Sequence, residues 1–390
     1  MQVSNRISNI IGGGSDGWDV FYRARAMKAA GVPVTELTIG EHDIRTHPDI
    51  LNAMHAAAIG GHTGYAIVPG IPALREAVAA RVQAQSGVPT TYENVIITPG
   101  GQAALFAAHM ALCDEGDTAL YIDPYYATYP GSLRGAGAKA VSVRAHAEND
   151  FQPRASDLAK AAKGAKTLLV NSPNNPTGVV YSRETLEGIA QVVKENDMWL
   201  VSDEVYDTQV WEGEHISPRS LPGMAERTLV VGSMSKSHAM TGSRIGWIVA
   251  PKEVITHLIN LATHTNYGVA GFVQDAALFA LNQGAEPEAV VAAPFERRRK
   301  LALDILAGQN VARPVPAQGA MYIMLDLRAT GLSGEEFANR LLDAHHIAVM
   351  PGESFGTAAA GHIRVAMTIE DEDFAAALKT LVSFAQSLAA

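Results

Sequence analysis

The sequence predicts an α/β protein: a large domain with a mostly parallel central sheet flanked by helices, plus a smaller α+β domain. Short apolar runs rich in β-forming residues alternate with longer segments of helical spacing, which is the pattern of βαβ units. The chain has 390 residues, enough for two structural units. In its C-terminal part, two strands and two amphipathic helices indicate a separate, smaller unit.

The elements follow in order along the chain. The strands predicted for the larger sheet are Val95–Thr98, Ala119–Ile122, Lys166–Asn171, Met198–Ser202, Thr228–Gly232 and Gly246–Ala250. A helix is predicted at Ser182–Glu195. The smaller unit contains the strands Met321–Leu327 and Ile363–Met367 and the helices Gly334–Ala344 and Asp371–Leu388. We predict an N-terminal arm with part of the small domain at residues 1–45, the large domain at 46–285 and the small C-terminal domain at 286–390.

Composition and charge exclude several classes of protein. The net charge is −10, which argues against nucleic acid or an anionic membrane surface as a partner, because both require a basic surface. The single cysteine, Cys113, cannot form an internal disulfide, and no apolar run is long enough to span a bilayer. Residues 1–10 lack the apolar stretch of a secretory signal. The sequence therefore predicts a cytoplasmic protein.

Polar residues follow the strands at the edge of the sheet where ligands bind in open α/β folds. The segments that follow three successive strands are Asn171–Gly178 (NSPNNPTG), Asp203–Tyr206 (DEVY) and Gly232–Lys236 (GSMSK). Because the carboxyl ends of parallel strands meet at one edge, we expect these segments to surround one site.

A glycine turn and a helix start follow the strand at Val95–Thr98, and this combination favours an anion. Gly101 and Gln102 stand at this helix start. A second set of groups that can donate hydrogen bonds to a phosphate flanks Lys236. It consists of the hydroxyls of Ser233 and Ser235 and the guanidinium of Arg244. These groups predict a phosphorylated small molecule with a lysine beside it.

Motifs in this order and spacing resemble those of the class I/II aminotransferases, aspartate-aminotransferase-like enzymes of pyridoxal-phosphate fold type I. The segments that carry the resemblance, which covers nearly the whole chain, are Thr35–Asp43 (TELTIGEHD), Gly64–Ala77, Asn171–Gly178, Asp203–Tyr206, Ser233–Lys236, Thr241–Trp247 (TGSRIGW), Pro351–Gly356 (PGESFG) and Ile363–Arg364. The resemblance implies pyridoxal 5'-phosphate as cofactor, an amino acid and a 2-oxo acid as substrates, and a homodimer.

The resemblance also implies roles for the residues around the cofactor. Lys236 forms its Schiff base, because an amine desolvated near other cations has a lowered pKa and becomes nucleophilic. Asp203 pairs with the protonated pyridine nitrogen and keeps the ring an electron sink. Asn175 and Tyr206 are similar to the family residues that hydrogen-bond the ring hydroxyl.

Three further contacts are implied. Tyr126 resembles the aromatic residue that stacks on the pyridine ring, with Tyr125 as its nearest competitor. Tyr65 resembles the tyrosine that reaches the phosphate of the neighbouring subunit. Arg364 resembles the arginine that grips the substrate α-carboxylate with two hydrogen bonds, with Asn175 and the backbone N–H of Gly40 as further substrate contacts.

The predicted activity is amino-group exchange by double displacement, with Lys236 as general base and acid. A carbon–sulfur β-lyase of the same fold is the alternative, because it uses the same lysine. A remote alternative is an NAD-dependent oxidoreductase, since Gly12, Gly14 and Gly17 have the spacing of a dinucleotide loop, but residues 4–11 are too polar for the buried strand that should precede it. The histidines show no zinc-ligand spacing, so no metal site is predicted.

Overall fold

The chain forms two β-sheets and fourteen α-helices in a computed structural model that describes residues 1–12 and 17–389. The strands are β1 (Thr35–Leu37), β2 (Val95–Thr98), β3 (Thr118–Asp123), β4 (Lys139–Arg144), β5 (Ala165–Asn171), β6 (Trp199–Asp203), β7 (Thr228–Ser233), β8 (Gly246–Val249), β9 (Arg313–Pro314), β10 (Tyr322–Asp326), β11 (Ile347–Pro351) and β12 (His362–Ala366). The helices are α1 (Asn5–Ser8), α2 (Asp19–Ala29), α3 (Pro48–Ile59), α4 (Pro72–Ser86), α5 (Gly101–Leu112), α6 (Tyr129–Gly135), α7 (Ala155–Ala162), α8 (Arg183–Glu195), α9 (Met234–Ser237), α10 (Lys252–Thr263), α11 (Gly271–Leu281), α12 (Glu286–Leu306), α13 (Gly334–His345) and α14 (Asp371–Ala389).

The larger sheet has seven strands in the order β2-β8-β7-β6-β5-β3-β4, all parallel except β8. Its central strands are buried on both faces. Alternate residues of β5 enter two different apolar clusters: Leu168 packs with α7 and α8, whereas Leu169 packs with α5 and α10. Helices on both faces explain why these strands are continuous apolar runs in the sequence.

The smaller sheet has five strands in the order β1-β11-β12-β10-β9. Its first strand, β1, pairs in parallel with β11, so a segment near the start of the chain joins a sheet that is otherwise C-terminal. Helices α13 and α14 cover this sheet through Phe337 and Phe374, both fully buried.

The predicted fold class is confirmed, and the strands predicted for the larger sheet all form, each within about two residues of the predicted bounds. Strand β4 was not predicted. It is the edge strand of the sheet, and only Val143 of its six residues is buried, so it lacks the apolar run that marks the central strands. Among the described residues, no helix is both long and apolar enough to cross a membrane.

Candidate active site

A cavity of about 300 Å³ lies where the parallel strands of the larger sheet end. Its lining includes twelve predicted site residues together with two residues that were not predicted, Tyr129 and Tyr322. Together they are Gly40, Gly101, Gln102, Tyr126, Tyr129, Asn175, Asp203, Tyr206, Ser233, Ser235, Lys236, Arg244, Tyr322 and Arg364. Its volume is at the lower end of the range typical of small-molecule sites.

Lys236 lies in the short helix α9, directly after β7, and its side chain is half-buried. Its Nζ donates to the carbonyl oxygen of Gly40. The backbone carbonyl of Lys236 is bonded in turn to His42 Nε2 at 3.0 Å. Burial lowers the pKa of Lys236, and Arg364 and Arg244 act in the same direction, whereas Tyr322 and Glu41 act in the opposite direction. A lower pKa makes the neutral amine, which is the nucleophilic form, more available.

Asp203 ends β6 with its carboxylate almost fully buried. Burial raises the pKa of Asp203 to about 6, although the hydrogen bonds from Tyr129 and from the Val205 backbone act in the opposite direction. Tyr129 donates to Asp203 Oδ2 at 2.6 Å. The Asn171 side chain donates to the backbone carbonyl of Asp203 at 2.9 Å, which ties the ends of β5 and β6 together.

Arg364 lies on β12 and is 1% exposed. One Nη donates to Asn175 Oδ1 at 2.8 Å, and the other donates to the backbone carbonyl of Thr38. The guanidinium lies between the rings of Tyr322 and Phe355, 4.3 and 4.4 Å from their centroids. Stacking on both faces leaves only the edge of the guanidinium for a ligand, which suits a carboxylate.

The turn before α5 and the loop that carries Arg244 form one wall of the cavity. Gly100 has a φ of 85°, and a Cβ there would lie 2.4 Å from a terminal nitrogen of Arg244, so only glycine allows this approach. The first N–H groups of α5 have no acceptor within the helix, as at any helix start. One Nη of Arg244 donates to the Thr241 carbonyl at 2.7 Å.

The two predicted serines differ in their hydrogen bonding. The Ser233 hydroxyl accepts from the Ser235 backbone and donates to the carbonyl of Ile245 at 3.2 Å, so it caps helix α9. Ser235 lies beside it in the cavity wall. The amide of Gln102 is bonded to the hydroxyls of Thr128 and Ser132 at 2.8 Å.

The neighbouring tyrosines Tyr125 and Tyr126 line two different cavities. Tyr126 lines the cavity, whereas its competitor Tyr125 lines a larger outer chamber of about 990 Å³. The hydroxyls of Tyr206 and Tyr322 are 3.1 Å apart, and both side chains are buried. Tyr65 is not in the cavity: it is 91% exposed and packs edge-on against Tyr267.

Sequence reasoning missed Tyr129 and Tyr322. Tyr129 begins α6, three residues after Tyr126, and the cluster of tyrosines at 125, 126 and 129 was a usable signal. Tyr322 is the first residue of β10. Aromatic residues are common in strands, so nothing in the sequence marked Tyr322 as a site residue.

The glycine-rich segment near the N-terminus lacks the preceding strand of a dinucleotide loop, because the described residues before Gly12 form the short helix α1 and no strand. Gly14 lies outside the described residues, and the helix that follows Gly17 is preceded by the short helix α1. Among the described residues, no group of three or more histidine, cysteine or acidic side chains is placed to hold a metal ion.

Comparison with known proteins gives consistent matches over almost the whole chain. A family model described as aminotransferase class I and II matches residues 32–381. The arginine–pyruvate transaminase of Pseudomonas aeruginosa is 39% identical over 389 residues, covering 100% of this chain and 99% of that protein. The aspartate/prephenate aminotransferase of Thermus thermophilus is 39% identical over 364 residues, 92% of each chain. A solved structure of a single mutant of the Thermus thermophilus aspartate aminotransferase superposes with a TM-score of 0.92 at 36% identity, covering 98% of this chain and 100% of that one.

Proposed function

The chain belongs to the class I and II aminotransferases, and from this premise we propose that its cavity binds pyridoxal 5'-phosphate on Lys236. As a member of this family it is a transaminase, which exchanges an amino group between an amino acid and a 2-oxo acid. The observation that carries the proposal is the meeting of Lys236, Asp203 and Arg364 in one cavity of about 300 Å³. Asp203 ends β6, Lys236 lies in helix α9 after β7, and Arg364 lies in the middle of β12 in the smaller sheet, so no local structural requirement explains their convergence.

The residues present fit this cofactor at each of its functional groups. The start of α5, Ser235 and Arg244 offer N–H, hydroxyl and guanidinium donors for a phosphate. Asp203 offers a buried carboxylate for the pyridinium nitrogen. Tyr206 lines the same cavity and would offer its hydroxyl to the ring hydroxyl.

Substrate binding is proposed to depend on Arg364, Asn175 and Gly40. Arg364 is already oriented by Asn175 and by the two stacked rings, so the edge of its guanidinium can meet the substrate α-carboxylate with two hydrogen bonds. Because the guanidinium is held before the substrate arrives, little side-chain entropy is lost on binding. Because Arg364 and Lys236 line the same cavity, a substrate held by this contact would have its Cα within the space that Lys236 borders.

The proton transfer is assigned to Lys236. When bound, the cofactor supplies an electron sink for the charge that develops at the substrate Cα. With the cofactor bound, Lys236 Nζ would be the group that accepts and returns the proton at the substrate Cα, and its lowered pKa favours the neutral amine that accepting a proton needs. Asp203 would offer its carboxylate to a protonated pyridine nitrogen. Tyr129 holds Asp203 in place for this contact.

The amino donor is proposed from the relatives as a panel rather than as a single compound. The relatives are named for arginine with pyruvate and for aspartate and prephenate. The test is purified protein with arginine, aspartate and phenylalanine, each with pyruvate or 2-oxoglutarate. Matched amino-acid and oxo-acid products are expected. Pyruvate and ammonia from a β-substituted donor would instead indicate the β-lyase.

The covalent link is tested separately. Borohydride treatment of the yellow holoenzyme, followed by peptide mass analysis, should place the modification on Lys236. Lys236→Ala should lose the modification and the activity while its melting temperature stays close to that of the wild type. Modification of a different lysine would contradict the assignment.

We also propose a homodimer in which Tyr65 reaches the phosphate of the partner's cofactor. The support is that Tyr65 and Tyr267 pack together and are both exposed, and that Ile59 and Ile67, close to Tyr65 in the sequence, are exposed apolar residues as well. Light scattering should give about twice the chain mass of 41.3 kDa. In such a dimer, Tyr65→Phe should weaken cofactor binding without changing the mass, whereas a monomeric wild type would contradict the proposal.

The proposed domain boundaries are those of the sequence analysis. The strands of the seven-stranded sheet lie between residues 95 and 249, within the proposed large domain at 46–285. Four strands of the smaller sheet lie within 286–390, and the fifth, β1, comes from the arm at 1–45. Limited proteolysis should cut near these boundaries first.

A further inference from the structure

A buried group of charged side chains, none of which lines the cavity, takes no part in the proposed chemistry. Its centre is Arg81 of helix α4, whose side chain is 16% exposed. One Nη donates to Asp207 Oδ2 at 2.9 Å, and the other donates to Glu288 Oε1. Gln85, one turn further along α4, donates to the same Asp207 oxygen at 2.7 Å.

Asp207 connects this group to the turn that carries the site residues after β6. It directly follows Tyr206, and its backbone N–H donates to the carbonyl of Glu204 at 3.0 Å, which closes the turn. Burial alone would raise the pKa of Asp207, but Arg81 and His215 hold the pKa below its usual range. Asp207 therefore stays charged although its side chain is only 11% exposed, and its ion pair with Arg81 holds the turn after β6.

The same turn is attached to the segment that carries Lys236. Gln209 Nε2 donates to the backbone carbonyl of Lys236 at 3.4 Å. His238, two residues after Lys236, lies 3.9 Å from Glu288 Oε1, and its Nδ1 is 2.8 Å from the hydroxyl of Ser237. Arg81 thus contacts the turn after Tyr206 through Asp207, and it reaches the segment that supplies Lys236 through Glu288, which lies beside His238.

Glu288 connects the group to helix α12, which packs against the smaller sheet through Phe295 and Ala302. Arg81 therefore joins a helix of the larger unit, the turn after β6 and a helix that reaches the smaller unit. Burying charges costs several kcal/mol per ion, and well-packed apolar residues in their place are often neutral or stabilising. Stability by itself is thus a weak reason for this arrangement.

We infer that Arg81 is a positioning residue for the transamination reaction: by bridging Asp207 and Glu288 it fixes the turn that carries Tyr206 relative to the segment that carries Lys236. This inference rests on the proposed function of the cavity. Misplacing a reacting group by about 1 Å costs roughly 100-fold in rate. Loss of the bridge should therefore lower kcat more than it raises KM.

The test uses the holoenzyme with Arg81→Lys, which keeps the charge but can bridge the two carboxylates only poorly. The matched control is Arg75→Lys in the same helix, because Arg75 is also buried but donates to the Val95 carbonyl, away from the site. For Arg81→Lys we expect kcat to fall at least ~10-fold with KM within about threefold. Arg75→Lys should leave both constants close to wild type.

A second variant guards against loss of folding. Arg81→Met alone leaves two carboxylates without a cation, whereas Arg81→Met with Asp207→Asn keeps the net charge of the group unchanged. This double variant should fold and still show the lower kcat. Full kcat in the double variant, or equal losses in Arg81→Lys and Arg75→Lys, would overturn the inference.

Hydrogen exchange separates this inference from the proposed function. In Arg81→Lys, but not in Arg75→Lys, amides in residues 204–209 and 236–238 should exchange faster than in the wild type. Unchanged exchange in both segments would refute the positioning role even if turnover is detected. Absence of turnover in the wild type would refute the proposed function, and the exchange result would still decide whether Arg81 holds the two segments together.

Discussion

Replacing Arg364 with lysine tests how the cavity recognises a carboxylate. Lysine keeps the positive charge but loses the planar fork and the stacking between Tyr322 and Phe355. One charge-assisted hydrogen bond contributes about 1.5–3 kcal/mol. The stacking is already present in the free protein, so it affects kcat/KM only by orienting the guanidinium before the substrate binds. Because lysine loses one of two hydrogen bonds and this orientation, we expect a net loss of ~3 kcal/mol, which is roughly 100-fold in kcat/KM.

The assay compares an amino acid with the amine that lacks its α-carboxylate. Half-reactions with the bound cofactor can be followed by absorbance, so slow donors remain measurable. Arg364→Lys should lose roughly 100-fold with the amino acid and much less with the matched amine. Arg75→Lys serves as the control for changing a buried arginine elsewhere. An equal fractional loss with both donors would refute the reasoning, because the arginine would then act on structure rather than on the carboxylate.

Three further perturbations give distinct results. Tyr129→Phe removes the donor to Asp203 Oδ2 and should lower kcat ~10-fold or more. Tyr121 is also buried, and the control variant Tyr121→Phe should keep the wild-type kcat. Equal kcat values in the two variants would contradict the role of this hydrogen bond. The pKa of Asp203, raised by burial from 3.8 to about 6, means that this carboxyl stabilises the apoprotein below pH 3.8 and loses that contribution as pH rises through 6. Asp203→Asn should therefore gain up to ~3 kcal/mol over the wild-type apoprotein between pH 4 and pH 8 in denaturant titrations, and a pH-independent difference would contradict it. Gly100→Ala places a Cβ 2.4 Å from Arg244 and should weaken cofactor affinity in equilibrium dialysis, whereas Gly87→Ala, with open space around it and a φ of 69°, should affect only stability.

The sequence was sufficient to predict the order of the elements and most of the cavity wall. Strands β5, β6 and β7 are buried on both faces, so each is an unbroken apolar run, and the residues that follow each run are placed at one edge of the sheet by the parallel arrangement. The sequence therefore predicts that Asn175, Asp203 and Lys236 lie at this edge. The domain boundaries and the assigned chemical roles stay predictions until the experiments above are done.

The tertiary structure decided the contacts that orient these residues. Tyr129 and Asp203 are 74 residues apart, and Tyr206 and Tyr322 are 116 apart, yet each pair is joined by a hydrogen bond. Arg81 similarly meets Asp207 from 126 residues away. Local spacing carries information only about neighbours along one helix or strand. Which distant side chains meet depends on how helices and sheets pack, and packing is settled only when the whole chain is folded.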